Sequence, residues 1–137
     1  MVLVDSSVWI DYFNGDTTAE CDALDGLLGR ELVLIGDLIL TEVLQGFRTE
    51  AGYREARALL DPLGFCRLGG REIALAAADH DRLMRGKGVT VRKTIDVIIG
   101  SYCILYDLVL LHADRDFDAM EKHVGLKVYR SAPTHLA

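Results

Sequence analysis

Apolar positions in this chain fall into two rhythms. Val2-Leu3-Val4, Leu32-Val33-Leu34-Ile35 and Leu108-Val109-Leu110-Leu111 are continuous apolar runs. Short runs of this kind predict strands buried on both faces. Phe65–Leu68 and Lys127–Tyr129 are weaker strand candidates, the last of them edge-like. Elsewhere apolar residues recur every three or four positions, the period of a helix packed on one face. Helices are expected from a cap at Ser6 or Ser7 to about Asn14, from Thr18 to Gly29, and from a cap at Asp37 to about Gly46. Others are expected over Arg54–Leu60, over Arg71–Arg85, from a cap at Thr94 through Ile95 to about Tyr106, and over Asp114–His123. In the helix after Thr94, the stripe Ile95, Ile98, Ile99, Tyr102 and Leu105 or Tyr106 is the expected core face. Strands alternating with helices predict an α/β fold, a mainly parallel sheet with helices on both faces. No repeat or linker interrupts the pattern, so 1–137 reads as a single domain.

Composition narrows the class. Half of the 137 residues are apolar and 26% are charged, as in a soluble globular protein. Fifteen basic against 21 acidic residues give a net charge of −6, so a polyanionic partner must be held by a local patch rather than by the whole surface. Cys21, Cys66 and Cys103 are odd in number and widely spaced. They read as free thiols of a reducing, cytoplasmic compartment, not as a zinc site. No signal peptide is recognisable, and no apolar stretch reaches the length of a membrane helix.

The chemistry lies in the acids. Asp5 directly follows the first strand, and Asp114 follows the Leu108–Leu111 strand by three residues. In an open α/β sheet ligands bind beyond the carboxyl ends of the strands, so both acids belong to the functional edge. Glu42 and Asp96 sit on expected helices within the apolar surroundings Leu-Ile-Leu-Thr-Glu-Val-Leu and Ile-Asp-Val-Ile-Ile. A carboxylate near a core is costly unless it is paired or coordinates a cation. Each acid also has an ordinary reading: Asp5 and Asp114 as helix caps, Glu42 as a surface residue, Asp96 as a first-turn acid favoured by the helix dipole. Taken together they fit a site for Mg2+ or Mn2+, which prefer oxygen ligands.

A second cluster has the opposite sign. Arg85-Gly-Lys87-Gly-Val-Thr-Val-Arg92-Lys93 carries four cations and no acid immediately before Asp96, and Arg48, Arg54 and Arg57 can extend it. Such cations suit the phosphates of a nucleic acid held beside the metal. The competing reading is a solvated basic loop. Trp9, Tyr12 and Phe13, at helical spacing, read as core or subunit contact rather than as base-stacking platforms. His80, His112, His123 and His135 show no ligand spacing, and no nucleotide-binding glycine motif occurs.

Four segments in this order resemble a known family: Val-Leu-Val-Asp-Ser-Ser-Val-Trp-Ile-Asp-Tyr-Phe, Thr-Glu-Val-Leu-Gln-Gly, Thr-Ile-Asp-Val-Ile-Ile-Gly and His-Ala-Asp-Arg-Asp-Phe. They resemble the PIN domain, and within it the VapC toxins of prokaryotic toxin–antitoxin pairs. The resemblance implies a three-layer α/β/α fold and a magnesium- or manganese-dependent endoribonuclease. It implies a homodimer as well, with a small VapB-like antitoxin entering the active-site groove. It assigns the acids as Asp5, Glu42, Asp96 and Asp114, with Asp116 a further acid of less definite role. Ser6 stands where members often carry Thr, and its hydroxyl can orient Asp5 or a water. The rivals fit less well. A haloacid-dehalogenase-like phosphatase needs a second Asp where this chain has Ser7. A receiver-like signalling domain needs paired acids early in the chain and a phosphoacceptor Asp after a middle strand, where Gly36-Asp37 is a weak match. A housekeeping PIN nuclease without an antitoxin differs from a toxin only in its partner.

Overall fold

A computed structural model describes residues 1–30 and 32–130; residue 31 and residues 131–137, which include Pro133 and His135, lie outside the described part. Strands β1 (Val2–Val4), β2 (Val33–Gly36), β3 (Gly64–Cys66), β4 (Val109–Leu111) and β5 (Lys127–Val128) form one sheet in the order β3-β2-β1-β4-β5. Every pairing is parallel, so the described sheet is wholly rather than mainly parallel. Val2 lies opposite both Val33 and Val109, and Leu3 opposite Leu34 and Leu110. All of β1 and β2 is buried, which is why these strands read as unbroken apolar runs.

Helices α1 (Ser6–Phe13) and α2 (Ala19–Leu27) join β1 to β2, and α3 (Asp37–Gln45) and α4 (Glu50–Leu60) join β2 to β3. Helices α5 (Arg71–Gly86) and α6 (Thr94–Leu105) lead to β4, and α7 (Asp116–Val124) leads to β5. Right-handed crossovers put α1–α4 on one face as the chain steps from β1 to β3, and α5–α7 on the other as it returns to β4 and β5. The packing follows that division: α1 contacts α2 and α3, α3 contacts α4, and α5, α6 and α7 contact one another. The result is the three-layer arrangement. The direction of winding reverses between β1 and β4, the switch point where open α/β sheets bind ligands.

Several local expectations change. Asp5, not Ser6 or Ser7, caps α1: its backbone is extended and its side chain accepts from Ser7 N. Gly36, not Asp37, precedes the first turn of α3, and the Asp37 carboxylate instead accepts from Leu38 N at 2.8 Å and Leu68 N at 3.1 Å, tying α3 to the segment after β3. Lys93 rather than Thr94 is the cap residue of α6. Helix α4 begins four residues earlier than expected because Thr49 caps it, accepting from Gly52 N at 3.1 Å. Helix α7 starts at Asp116, two residues later than expected. The largest change concerns α6. Its buried residues are Asp96, Val97, Ile99, Gly100, Ser101 and Cys103; of the expected stripe Ile99 is buried, Ile95, Ile98 and Tyr102 are half-buried against the core, and Leu105 and Tyr106 are exposed. A helix that is apolar all round has no unique stripe. Here the close approach of α7 decides the facing side: a Cβ on Gly100 would meet Met120 Sδ at 2.5 Å. The three cysteines are buried and unpaired.

Candidate metal centre

The carboxyl edge of the sheet gathers the beginnings of three helices. Asp5 ends β1 and caps α1, Asp96 lies in the first turn of α6, and Asp116 opens α7 just after Asp114. Helix N-termini carry partial positive charge, so each acid sits where its own helix favours an anion. Asp5 divides its two oxygens between tasks. Oδ2 accepts from Ser7 N at 3.0 Å and from Ser7 Oγ at 2.6 Å, while Oδ1 is buried without a partner. The capping reading and the metal reading are therefore compatible. Asp96 is 5% exposed, and its Oδ2 is likewise buried and unpartnered. Asp114 Oδ1 accepts from Asp116 N at 2.9 Å, and Asp116 Oδ2 is a third buried oxygen that accepts no hydrogen bond. One oxygen each from Asp96, Asp114 and Asp116 lie within 4.8 Å of one another. Glu42, half-buried on α3, accepts from Ser6 Oγ at 3.2 Å.

Burial and mutual repulsion raise the proton affinity of this group. Burial first, then the charges of Asp5 and Asp114, push the Asp96 carboxyl up to about 7, against the pull of Lys93. Burial also raises Asp5 despite its bonds from Ser7. Glu42 is raised by burial and by the charge of Asp5, against the bond from Ser6. Buried acceptors without donors are uncommon and call for an explanation. The oxygens of Asp96, Asp114 and Asp116, within 4.8 Å of one another and all hard donors, fit a divalent cation such as Mg2+ or Mn2+; Asp5 and Glu42 stand outside that trio.

The basic run divides. Lys93 Nζ lies 3.8 Å from Asp114 Oδ2, and Arg92 Nε lies 3.8 Å from Asp116 Oδ2. Arg85 is instead engaged with Asp81 at 2.9 Å, Arg54 with Glu50 and Arg57 with Asp61. Lys87 and Arg48 make no ion pair among the described residues. Two further residues frame the site. Ser7 Oγ donates to Asp5 and accepts from Ala113 N at 3.1 Å, so one hydroxyl clamps the end of β1 to the segment after β4. His112 Nδ1 accepts from Asp114 N at 3.2 Å, its ring packs against Phe117 with centroids 5.0 Å apart, and burial holds its pKa below the ordinary value. Ser7 reads in sequence only as a capping option, and His112 as an ordinary histidine. Their adjacency to Asp5 and Asp114 is the one signal for them in the chain.

The family model of the PIN domain matches residues 2–123. This chain belongs to the PIN domain family. Among similar curated proteins are the VapC ribonuclease Mb1587 of Mycobacterium bovis and ribonuclease VapC11 of Mycobacterium tuberculosis. Each is 27% identical over 129 residues, covering 93% of this chain and 96% of the relative. Among solved structures, VapBC2 from Rickettsia felis, bound to a DNA fragment from its promoter, superposes with a TM-score of 0.73 at 13% identity. That match covers 96% of this chain and 100% of the other. VapC20 of Mycobacterium tuberculosis, a Sarcin-Ricin loop cleaving toxin, gives 0.68 at 16% identity, covering 96% and 100%. At these identities the structural likeness speaks for the fold. Among the described residues, no helix of this PIN domain is long and apolar enough to cross a membrane.

Proposed function

We propose that this PIN domain is a metal-dependent endoribonuclease, the toxin of a VapBC-type toxin–antitoxin pair. The observation that carries the reading is the acid cluster at the carboxyl edge of the sheet: Asp96, Asp114 and Asp116 each bring an oxygen within 4.8 Å of one another, and a buried oxygen of Asp96 and one of Asp116 accept no hydrogen bond. Asp96, Asp114 and Asp116 would hold Mg2+ or Mn2+, with Asp5 beside them at the end of the first strand. A cation bound there would supply charge neutralisation for a phosphate and acidification of a water. Glu42, its proton affinity raised beside Asp5, takes the proton of the attacking water. Ser6 keeps one Glu42 oxygen fixed. Arg92 and Lys93, already at the acids, grip the phosphates on either side of the scissile bond. Arg85, held by Asp81, is left out of that grip, and Lys87 lies further back in the run. The curated relatives are ribonucleases by name, and the R. felis neighbour is a toxin–antitoxin complex, which supports an antitoxin partner here too.

A homodimer is part of this reading. Leu105 and Tyr106, 41% and 53% exposed, offer apolar surface that a second copy would cover. Sedimentation should give a dimer at micromolar concentration; a monomer with and without metal refutes that part. The activity is tested by incubating the purified chain with total RNA in Mg2+, in Mn2+ and in excess EDTA, and mapping the 5′ ends of the products. Discrete new ends that require the metal are expected. Undiminished cleavage in EDTA, or no cleavage in either metal, rejects the reading.

A further inference from the structure

Beyond the acids, Glu42 forms part of the wall of a second feature. A cavity of about 520 Å³ lies between the C-terminal ends of α1 and α3 and the loop leading into α4. Its apolar lining includes Phe13, Val43 and Phe47, and its polar lining includes Glu42, Asn14 and Arg48. The two phenyl rings stand 5.5 Å apart at 75°, forming adjacent walls. Both are braced from behind. Phe13 stacks on the fully buried Trp9 at 5.9 Å, and Phe47 backs onto Gly52, where a Cβ would come within 3.2 Å of its ring. Trp9 is therefore core, as expected, whereas Phe13 is half-buried and lines the cavity. Among the described residues, neither the Asn14 amide nor the Arg48 guanidinium has a side-chain partner.

We propose that this cavity receives the base of a nucleotide adjoining the scissile phosphate, and so sets which RNA sequences are cut. The inference rests on the ribonuclease reading above and deepens it. Sequence-specific recognition of RNA uses unstacked bases laid on aromatic rings, with their edges hydrogen-bonded by polar side chains. The cavity provides those parts: braced rings for the faces of a base, and an amide, donor and acceptor at once, for its edge. Arg48 adds a cation for the neighbouring phosphate, in a chain whose net charge is −6. Its volume falls within the range of sites for single small ligands. Its position favours a substrate group. Glu42 lines the cavity, accepts from Ser6 and feels the charge of Asp5, so the cavity opens beside the Asp5 side of the acid site.

The test uses Phe47→Ala, Asn14→Ala and Arg48→Ala in the full chain. The substrate is a set of oligoribonucleotides randomised on both sides of the mapped cleavage site, cut in Mg2+ or Mn2+. Stacking of one base should make Phe47→Ala raise KM by about tenfold or more. The same variant should flatten base preference at one flanking position and leave the others as they were. Asn14→Ala should flatten preference at that same position with a smaller rise in KM, and Arg48→Ala should raise KM without changing preference. Asn14 and Arg48 are exposed, so these two variants decide the matter even if Phe47→Ala fails to fold. Wild-type KM and preference in Asn14→Ala and Arg48→Ala would overturn the proposal. So would variants that cut RNA normally but escape inhibition by the antitoxin, which would make the cavity a protein-docking surface. If the unaltered chain cuts no RNA at all, the ribonuclease reading fails and takes this inference with it.

Discussion

Replacing Asp96 by Asn removes a charge that the folded chain holds at a cost. Burial and the charges of Asp5 and Asp114 move this carboxyl from 3.8 up to about 7 in the metal-free protein. In the unfolded chain it titrates near its ordinary value. Between those two values the folded state binds more protons than the unfolded state. Stability contributed by this group therefore falls as pH rises from about 4 to about 7, and levels off above. Relative to a carboxyl of ordinary pKa, this group destabilises the fold by about 2 kcal/mol at pH 5 and about 4 kcal/mol at pH 8. Asn has nearly the same shape and no charge, so the growing part of that cost vanishes. The stability of Asp96→Asn relative to wild type should improve by about 2 kcal/mol between pH 5 and pH 8, equivalent to about 6–8 °C in Tm for a chain of this size. Thermal melts in EDTA at the two pH values measure the gap. Adding Mn2+ should then reverse the order: at a concentration one hundred times Kd the wild type gains about 3 kcal/mol, and the variant gains much less. A gap that is the same at both pH values would refute the account of Asp96 as a buried charge among like charges. An undiminished gain from Mn2+ in the variant would refute its role as a ligand.

Two other substitutions probe the frame and the grip. Ser7→Ala removes the hydroxyl that joins Asp5 to Ala113, at an expected cost of about 2 kcal/mol because one of its bonds goes to a carboxylate. Ser7→Thr, which keeps the hydroxyl, should restore most of that stability along with the Mn2+ affinity measured by calorimetry, and equal affinities in Ala and Thr variants would argue against the clamp. Replacing Arg92 and Lys93 together by Ala should weaken RNA binding and flatten the slope of log affinity against log salt by roughly one to one and a half. Fluorescence anisotropy with Ca2+ in place of the catalytic metal measures it, and an unchanged slope would assign the two cations to a protein partner or to solubility.

Much of this molecule is written locally in its chain. The runs Val2–Val4, Leu32–Ile35 and Leu108–Leu111 announce the central strands because residues buried on both faces of a parallel sheet need no alternation. Asp5 and Asp114 are legible as site residues for a related reason: an acid directly after such a run must lie at the carboxyl edge of the sheet. The caps were less legible, since Asp5, Ser6 and Ser7 are all competent and only the extended backbone at Asp5 selects one of them. Periodicity found only part of the buried side of α6: Ile95, Ile98, Ile99 and Tyr102 do pack on the core, but apolar residues on every side leave Val97, Gly100 and Cys103 to be turned inward by the fit of Gly100 against Met120. The basic run between Arg85 and Lys93 is visible as composition, yet only the path of the chain into α6 brings Arg92 and Lys93 to the acids and leaves Arg85 with Asp81. The role of Asp116, the clamp of Ser7 on Ala113 and the cavity between Phe13 and Phe47 exist only once distant segments meet. The sequence by itself determined the strands, the helices and the kinds of chemistry available, because those follow from short-range pattern and residue type. The tertiary structure alone decided which carboxylate oxygens converge without a donor and which aromatic rings line open space, because both depend on packing between residues far apart in the chain.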